Sequence, residues 1–270
     1  MIPTIVNSIM QDYSDLLQEQ LPSCIEGIYL HGSVALNSFD DSSDIDFITV
    51  INRCLKKEEI YALGEIHQFI AAKYRKPEMD GMYVQQMDIG KNNENSPTPF
   101  YNGGEMHPTN AFNLNPITWW TLKYHGIRVI GRSIEALKIE VTEEDLVQYV
   151  DKNMNSYWKN RVEMIGNIDF TTIPDDLVDQ EIEWSILGVL RQYYTINEQK
   201  IISKAGAGKY ALTKLPSKWS NIIQEAIRIR EKVGETYYPN REEKIADSLS
   251  FLTFLMDRCN ALLMERDVVL

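Results

Sequence analysis

The sequence predicts an α/β N-terminal half followed by an all-α C-terminal half, and two observations carry that division. In the first half, β-prone runs such as Ile28-Tyr29-Leu30 and Ile45-Asp46-Phe47-Ile48-Thr49-Val50 alternate with amphipathic stretches of helical period. From Val141 onward the β-prone runs cease, and apolar residues recur at helical spacing. The 270 residues suffice for one large or two modest domains, and a hydrophobic content of 44% is enough to bury a core.

Residues 4–20 set Ile5, Ile9, Tyr13, Leu16 and Leu17 on one helical stripe, expected to pack beside the first strand, Ile28-Tyr29-Leu30. His31-Gly32-Ser33 breaks that strand, and Gly32 lets backbone N–H groups approach an anion with no Cβ in the way. A second strand follows from Asp44 to Val50. Residues two apart in a strand share a face, so Asp44 and Asp46 project together while Ile45 and Phe47 turn to the core. Two carboxylates on one face repel unless a cation lies between them, and hard oxygen ligands suit Mg²⁺ carrying phosphates. A glycine turn for phosphates beside a paired-carboxylate strand makes a nucleotide-polymerase-like site.

Residues 56–74 form the next amphipathic helix, with acids in its first turns where the helix dipole favours them. Pro77 to Val84 reads as a turn entering a strand, and it holds two acids, Glu78 and Asp80. Residues 91–116, rich in Asn, Pro and Gly, are the longest irregular stretch and a candidate cover for the site. Trp119 and Trp120 are expected to pack rather than to stack on a ligand. Residues 121–131 then read as a helix, a turn at Gly126 and a short strand.

In the second half, Thr142-Glu143-Glu144-Asp145 is a capping box leading a stripe of Leu146, Tyr149, Val150, Met154 and Trp158. Segments 176–199, 217–233 and 240–266 also read as helices, with breaks at Pro174, a turn at Gly206/Gly208, Pro216 and Pro239. The domain boundary is placed near residue 150, giving domains 1–150 and 151–270. Residues 204–209, KAGAGK, look like the tail of a P-loop but fail as one. Ser203 stands where the first Gly belongs, and Tyr210 replaces the Ser or Thr.

The formal charge of −12 argues against a surface that grips nucleic acid through its phosphates. It suits a polycationic small molecule, and it equally serves solubility. No stretch approaches the roughly 20 apolar residues that span a bilayer, and residues 1–13 show no export signal. Cys24, Cys54 and Cys259 lie far apart without a CxxC pair, as reduced thiols in a cytoplasm do. His31, His67, His107 and His125 are scattered, and none is read as a metal ligand.

Leu30-His31-Gly32-Ser33, ten residues, and then Asp44-Ile45-Asp46-Phe47 resembles the hG[GS]…Dh[DE]h signature of the nucleotidyltransferase superfamily. Residues 181–216 are similar, more loosely, to the helical domain of the streptomycin/spectinomycin adenylyltransferases. Their order is kept: an acid, an apolar helix with Arg, Ser-Lys, aromatic-Ala and Leu-Pro. The resemblance implies a small mixed sheet with flanking helices, a helical domain, and a site in the cleft between them. It implies a monomer that transfers AMP from ATP to a hydroxyl of spectinomycin, streptomycin or both, with two Mg²⁺ ions, and so confers antibiotic resistance. Asp44 and Asp46 match the metal ligands, and Gly32 and Ser33 the phosphate-binding turn. A third carboxylate, the base, is expected on the neighbouring strand, where Asp80 matches better than Glu78, although relatives often carry the longer Glu. Arg191 and Lys204 match the basic residues that reach the nucleotide. Glu181 matches a drug-binding acid, with Glu183 taking that place if the register slips. Ala205 in place of Asp and Tyr193 in place of Trp depart from the pattern and bear on drug range. The alternative reading is a nucleotidyltransferase acting on a protein or tRNA.

Overall fold

A computed structural model describes residues 2–91, 97–109 and 114–267. The chain forms two compact units, Met1–Thr142 and Glu143–Leu270. The first is a mixed α/β unit. Its strands are β1 (Ile25–Leu30), β2 (Ile45–Ile51), β3 (Met79–Gln85), β4 (Phe100–Asn102), β5 (Glu105–His107) and β6 (Ile127–Ile130), in the order β5-β4-β3-β2-β1-β6. Only β2 and β3 run parallel; the other described pairings are antiparallel. A parallel pair needs a crossover, which α3 (Lys57–Lys73) supplies.

Helix α1 (Thr4–Gln20) and α3 pack together. Their buried faces meet strand residues whose alternation follows the pleat. Tyr13 of α1 and His67 of α3 lie 5.2 and 5.5 Å from the Phe47 ring. Tyr13 Oη donates to Tyr83 Oη at 2.8 Å, and Tyr83 Oη meets His67 Nε2 at 2.7 Å, so these buried polar groups are paired. A four-residue α2 (Gly32–Ala35) follows β1. Helix α4 (Pro116–His125) starts on Asn115, whose side chain accepts from Thr118 N, with Pro at the first helical position. Trp119 and Trp120 are buried.

The irregular reading of residues 91–116 needs correction. Phe100–Asn102 and Glu105–His107 form a hairpin that extends the sheet from β3. These strands are three residues long, too short to show a period, and their pairing to β3 creates the strand. Residues 92–96 and 110–113 of that stretch lie outside the described residues.

The second unit is all helical: α5 (Glu143–Asn153), a π-helical turn (Met154–Trp158), α6 (Lys159–Gly166), α7 (Asp175–Glu198), α8 (Lys204–Lys214), α9 (Ser220–Glu231) and α10 (Arg241–Asp267). Helix α7 is the hub, packing against α5, α8, α9 and α10, and it is buried around much of its circumference from Ser185 to Leu190. The turn expected at Gly206/Gly208 is instead the body of α8, capped by the Ser203 side chain, which accepts from Gly206 N at 3.1 Å. A Cβ at Gly208 would lie 2.7 Å from Ile227 Cγ1 of α9, so this glycine allows a close helix approach. No helix among the described residues is long and apolar enough to cross a membrane.

Candidate active site

Three short features of the first unit converge. The chain leaves β1 at His31, whose N–H donates to the Asp46 carbonyl at 3.0 Å. It then turns at Gly32, with φ +58. A Cβ at position 32 would lie 1.8 Å from Asp46 Oδ2, so the turn needs glycine both for its conformation and for its contact with the carboxylate. Ser33 Oγ beside it is buried without a hydrogen-bond partner among the described residues. The loop back to β2 is pinned by Asp40 Oδ1, which accepts from Ser42 N at 2.8 Å and Ser43 Oγ at 3.1 Å. This places Asp44, exposed, just ahead of β2, and Asp46, half-buried, within it.

The β2–β3 register sets Asp46 directly beside Asp80. Asp80 Oδ2 accepts from Asn102 Nδ2 at 2.7 Å, while Oδ1 is buried with no partner among the described residues. Burial pushes the Asp80 carboxyl up to about 7, and the nearby Asp46 and Asp44 charges push the same way. The Asn102 hydrogen bond opposes them. Glu78, the other acid considered for this role, is exposed and paired with Lys76 Nζ at 2.6 Å. The register therefore joins Asp80, not Glu78, to the carboxylate pair.

Among the described residues no group of three or more His, Cys, Asp or Glu side chains forms a ready metal cage. Mg²⁺ takes one or two carboxylates and completes its octahedron with water and substrate phosphates, and Asp44 and Asp46 offer two carboxylates at the start of β2. The like charges of Asp44 and Asp46 beside Asp80 fit an incoming cation. The residues present therefore fit the ion. His31 and His67 are buried and pushed down by that burial to about 4 and about 3, so both stay neutral in the core.

In the helical unit, a second group of charges forms around one acid. Glu183 of α7 accepts from Lys204 Nζ at the start of α8, at 3.2 and 3.3 Å, and from Arg230 Nη1 of α9 at 3.5 Å. Burial lowers the Lys204 ammonium; Glu183 opposes that shift, whereas Arg191 and Arg230 add to it. Lys204, Arg191 and Arg230 thus share one neighbourhood with Glu183. Glu181 is not part of it, being engaged by Arg161 Nε at 3.1 Å, with the Arg161 guanidinium 4.9 Å from the Trp184 ring centre. Two residues on a helix are about 200° apart, which separates Glu181 from Glu183.

Asn102 and Arg230 escape the sequence reading. Asn102 had a signal, because Asn-Gly-Gly marks a tight hairpin. Arg230 had none, since it reads as one charge in the amphipathic run Ile227-Arg228-Ile229-Arg230.

Residues 146–253 match the family described as aminoglycoside adenylyltransferase, C-terminal domain. Among solved structures, the chain resembles the spectinomycin adenyltransferase AAD(9) from Enterococcus faecialis, crystallised with ATP and spectinomycin. The TM-score is 0.67 at 19% identity, over 93% of this chain and 98% of that one. At that identity the likeness is one of fold. No curated protein sequence matches the chain.

Proposed function

We propose that this chain, an aminoglycoside-adenylyltransferase-like member of the nucleotidyltransferase superfamily, transfers AMP from ATP to a hydroxyl of a cationic aminocyclitol or aminoglycoside antibiotic. The observation that carries the reading is Asp46 in register with Asp80, with Gly32 pressed against Asp46. Asp80 takes the proton of the acceptor hydroxyl. The hydroxyl oxygen bonds to the α-phosphorus of ATP, the bond from that phosphorus to the bridging oxygen of the β-phosphate breaks, and the electron pair leaves with pyrophosphate. Asp80 then returns its proton to solvent. Ser33 and the backbone at Gly32 hold phosphate oxygens. Lys204 and Arg191, with Arg230 beside them, neutralise charge on the α-phosphate and the leaving group, as cationic clamps do in phosphoryl transfer. When bound, Mg²⁺ held by Asp44 and Asp46 supplies neutralisation of the triphosphate and a lower pKa for the attacking hydroxyl.

The acceptor is the finer part of the proposal. The AAD(9) structure of similar fold contains spectinomycin, and the net charge of −12 favours a polycation over a nucleic acid. Glu181 is the acid assigned to an ammonium group of the drug, in exchange with Arg161. Glu183 serves instead to order Lys204 and Arg230. The test is pyrophosphate release from Mg·ATP against a panel including spectinomycin and streptomycin, with mass spectrometry of each drug. An AMP-sized mass gain supports the reading. Mg·ATP binding with no drug modified would move the acceptor to another molecule.

A further inference from the structure

We propose that Asn102 is a positioning residue for the transfer reaction, its amide holding Asp80 Oδ2 so that Oδ1 alone receives the acceptor's proton. The inference rests on the assignment of Asp80 as the base. Its ground is the hairpin that the sequence left unassigned. The β3–β4 register pairs Gly81 with Tyr101 and Met82 with Phe100, which sets Asn102 across from Asp80. Side chains alternate along a strand. Tyr101 enters the core, where its ring stacks on His67 at 3.8 Å and 7°, so Asn102 emerges on the opposite face, where its Nδ2 reaches Asp80.

The backbone on both sides of Asn102 is fixed. It pairs with Glu105 across the two-residue turn Gly103-Gly104, both with positive φ, 58° and 82°, the class of turn whose twist matches a hairpin. An Asn held by a strand on one side and a tight turn on the other loses little further freedom on making its bond. The bond is selective between the two carboxylate oxygens: Oδ2 is served, and Oδ1 is the buried one without a partner among the described residues. An amide orients the carboxylate with a neutral N–H. The carboxylate's own charge is left for the incoming proton, which a Lys or Arg at 102 would not allow.

The experiment compares wild type, N102A, N102D, D80N and the double variant N102A/D80N, following pyrophosphate release with spectinomycin, streptomycin or, where no drug reacts, water as acceptor. Mg·ATP affinity is measured by calorimetry and folding by thermal melting. The expected result is kcat lowered about 10- to 100-fold in N102A and further in N102D, with ATP affinity held within about twofold. N102A/D80N should be no slower than D80N, because Asn102 acts only through Asp80. If N102A lowers Tm while keeping wild-type kcat, Asn102 merely stabilises the hairpin and the inference falls. If D80N turns over like wild type, the assignment of Asp80 falls and this inference with it. An inactive D80N beside a fully active N102A overturns only the role of Asn102. Absence of any AMP transfer, to drug or water, overturns both.

Discussion

Asp80 and Glu225 are carboxylates withdrawn from water, one in each unit, and the two units treat them in opposite ways. Glu225 of α9 is fully buried and surrounded by donors. It accepts from Arg228 at 2.9 and 3.1 Å, from Thr236 Oγ1 at 2.9 Å and from Tyr237 N at 2.9 Å. Burial raises its pKa, but the hydrogen bonds from Arg228, Tyr237 and Thr236 outweigh it and hold the carboxyl below its ordinary range. Lys244 and Arg228 extend the network to Asp179. Asp80 has one neutral donor on one oxygen, nothing on the other among the described residues, and two like charges nearby. A buried acid with its lone pairs served is architecture. One with an oxygen unserved is available for chemistry.

The largest effect that tests this contrast is on catalysis. D80N should lower kcat/KM for AMP transfer by about 10³-fold, within the usual span of general acid–base contributions, and D46N, which removes a proposed metal ligand, should lower it at least as far, both without loss of thermal stability. A fully active D80N would end the comparison. Next comes its mirror image. E225Q should leave kcat/KM near wild type but cost about 3 kcal/mol of stability, since breaking a buried ion network strands its cations. Urea denaturation followed by circular dichroism measures it, and an unchanged midpoint would show Glu225 to be dispensable.

The pH dependence separates the two acids by sign. Asp80 has a raised folded-state pKa, about 7, so its contribution to stability is complete below its unfolded value near 4 and is lost as pH rises through 7. Glu225 has a lowered one, so its contribution is present above its unfolded value near 4.3 and is lost as pH falls through the folded value. Melting of metal-free protein should therefore show Tm falling between pH 5 and 8, a slope that D80N flattens. E225Q should flatten only the acidic limb. Equal slopes for wild type and D80N above pH 5 would contradict the raised pKa.

The smallest effect concerns the cationic group of the helical unit. R230A should raise the KM for ATP about tenfold, a loss of about 1.4 kcal/mol, with kcat less affected. A KM unchanged by R230A would leave Lys204 and Arg191 to serve the nucleotide without it.

Much of this was legible in the chain itself. The Gly32 turn could be read because it depends on nearest neighbours, a conformation and a contact that exclude a Cβ, and Asp44 and Asp46 stood out as a candidate pair because they lie two residues apart at the start of a β-prone run. The helices of the second half were readable for a similar reason, since a 3.6-residue stripe is a local signal. Asn102 was obscured because a three-residue strand has too few positions for a period. Gly206 and Gly208 misled because glycine signals a turn in isolation and a close helix contact in a packed unit, as Ile227 shows at position 208.

The sequence by itself determined the two-part architecture, an α/β half and a helical half, and marked Asp44 and Asp46 as a candidate pair, because periodicity and turn chemistry act over a few residues. Only the tertiary structure set Asp80 rather than Glu78 beside Asp46, brought Asn102 to Asp80, and gathered Glu183, Lys204 and Arg230. Each of these depends on strand register or helix packing between residues 20 to 50 positions apart, and no local propensity sets which distant side chains will share a face.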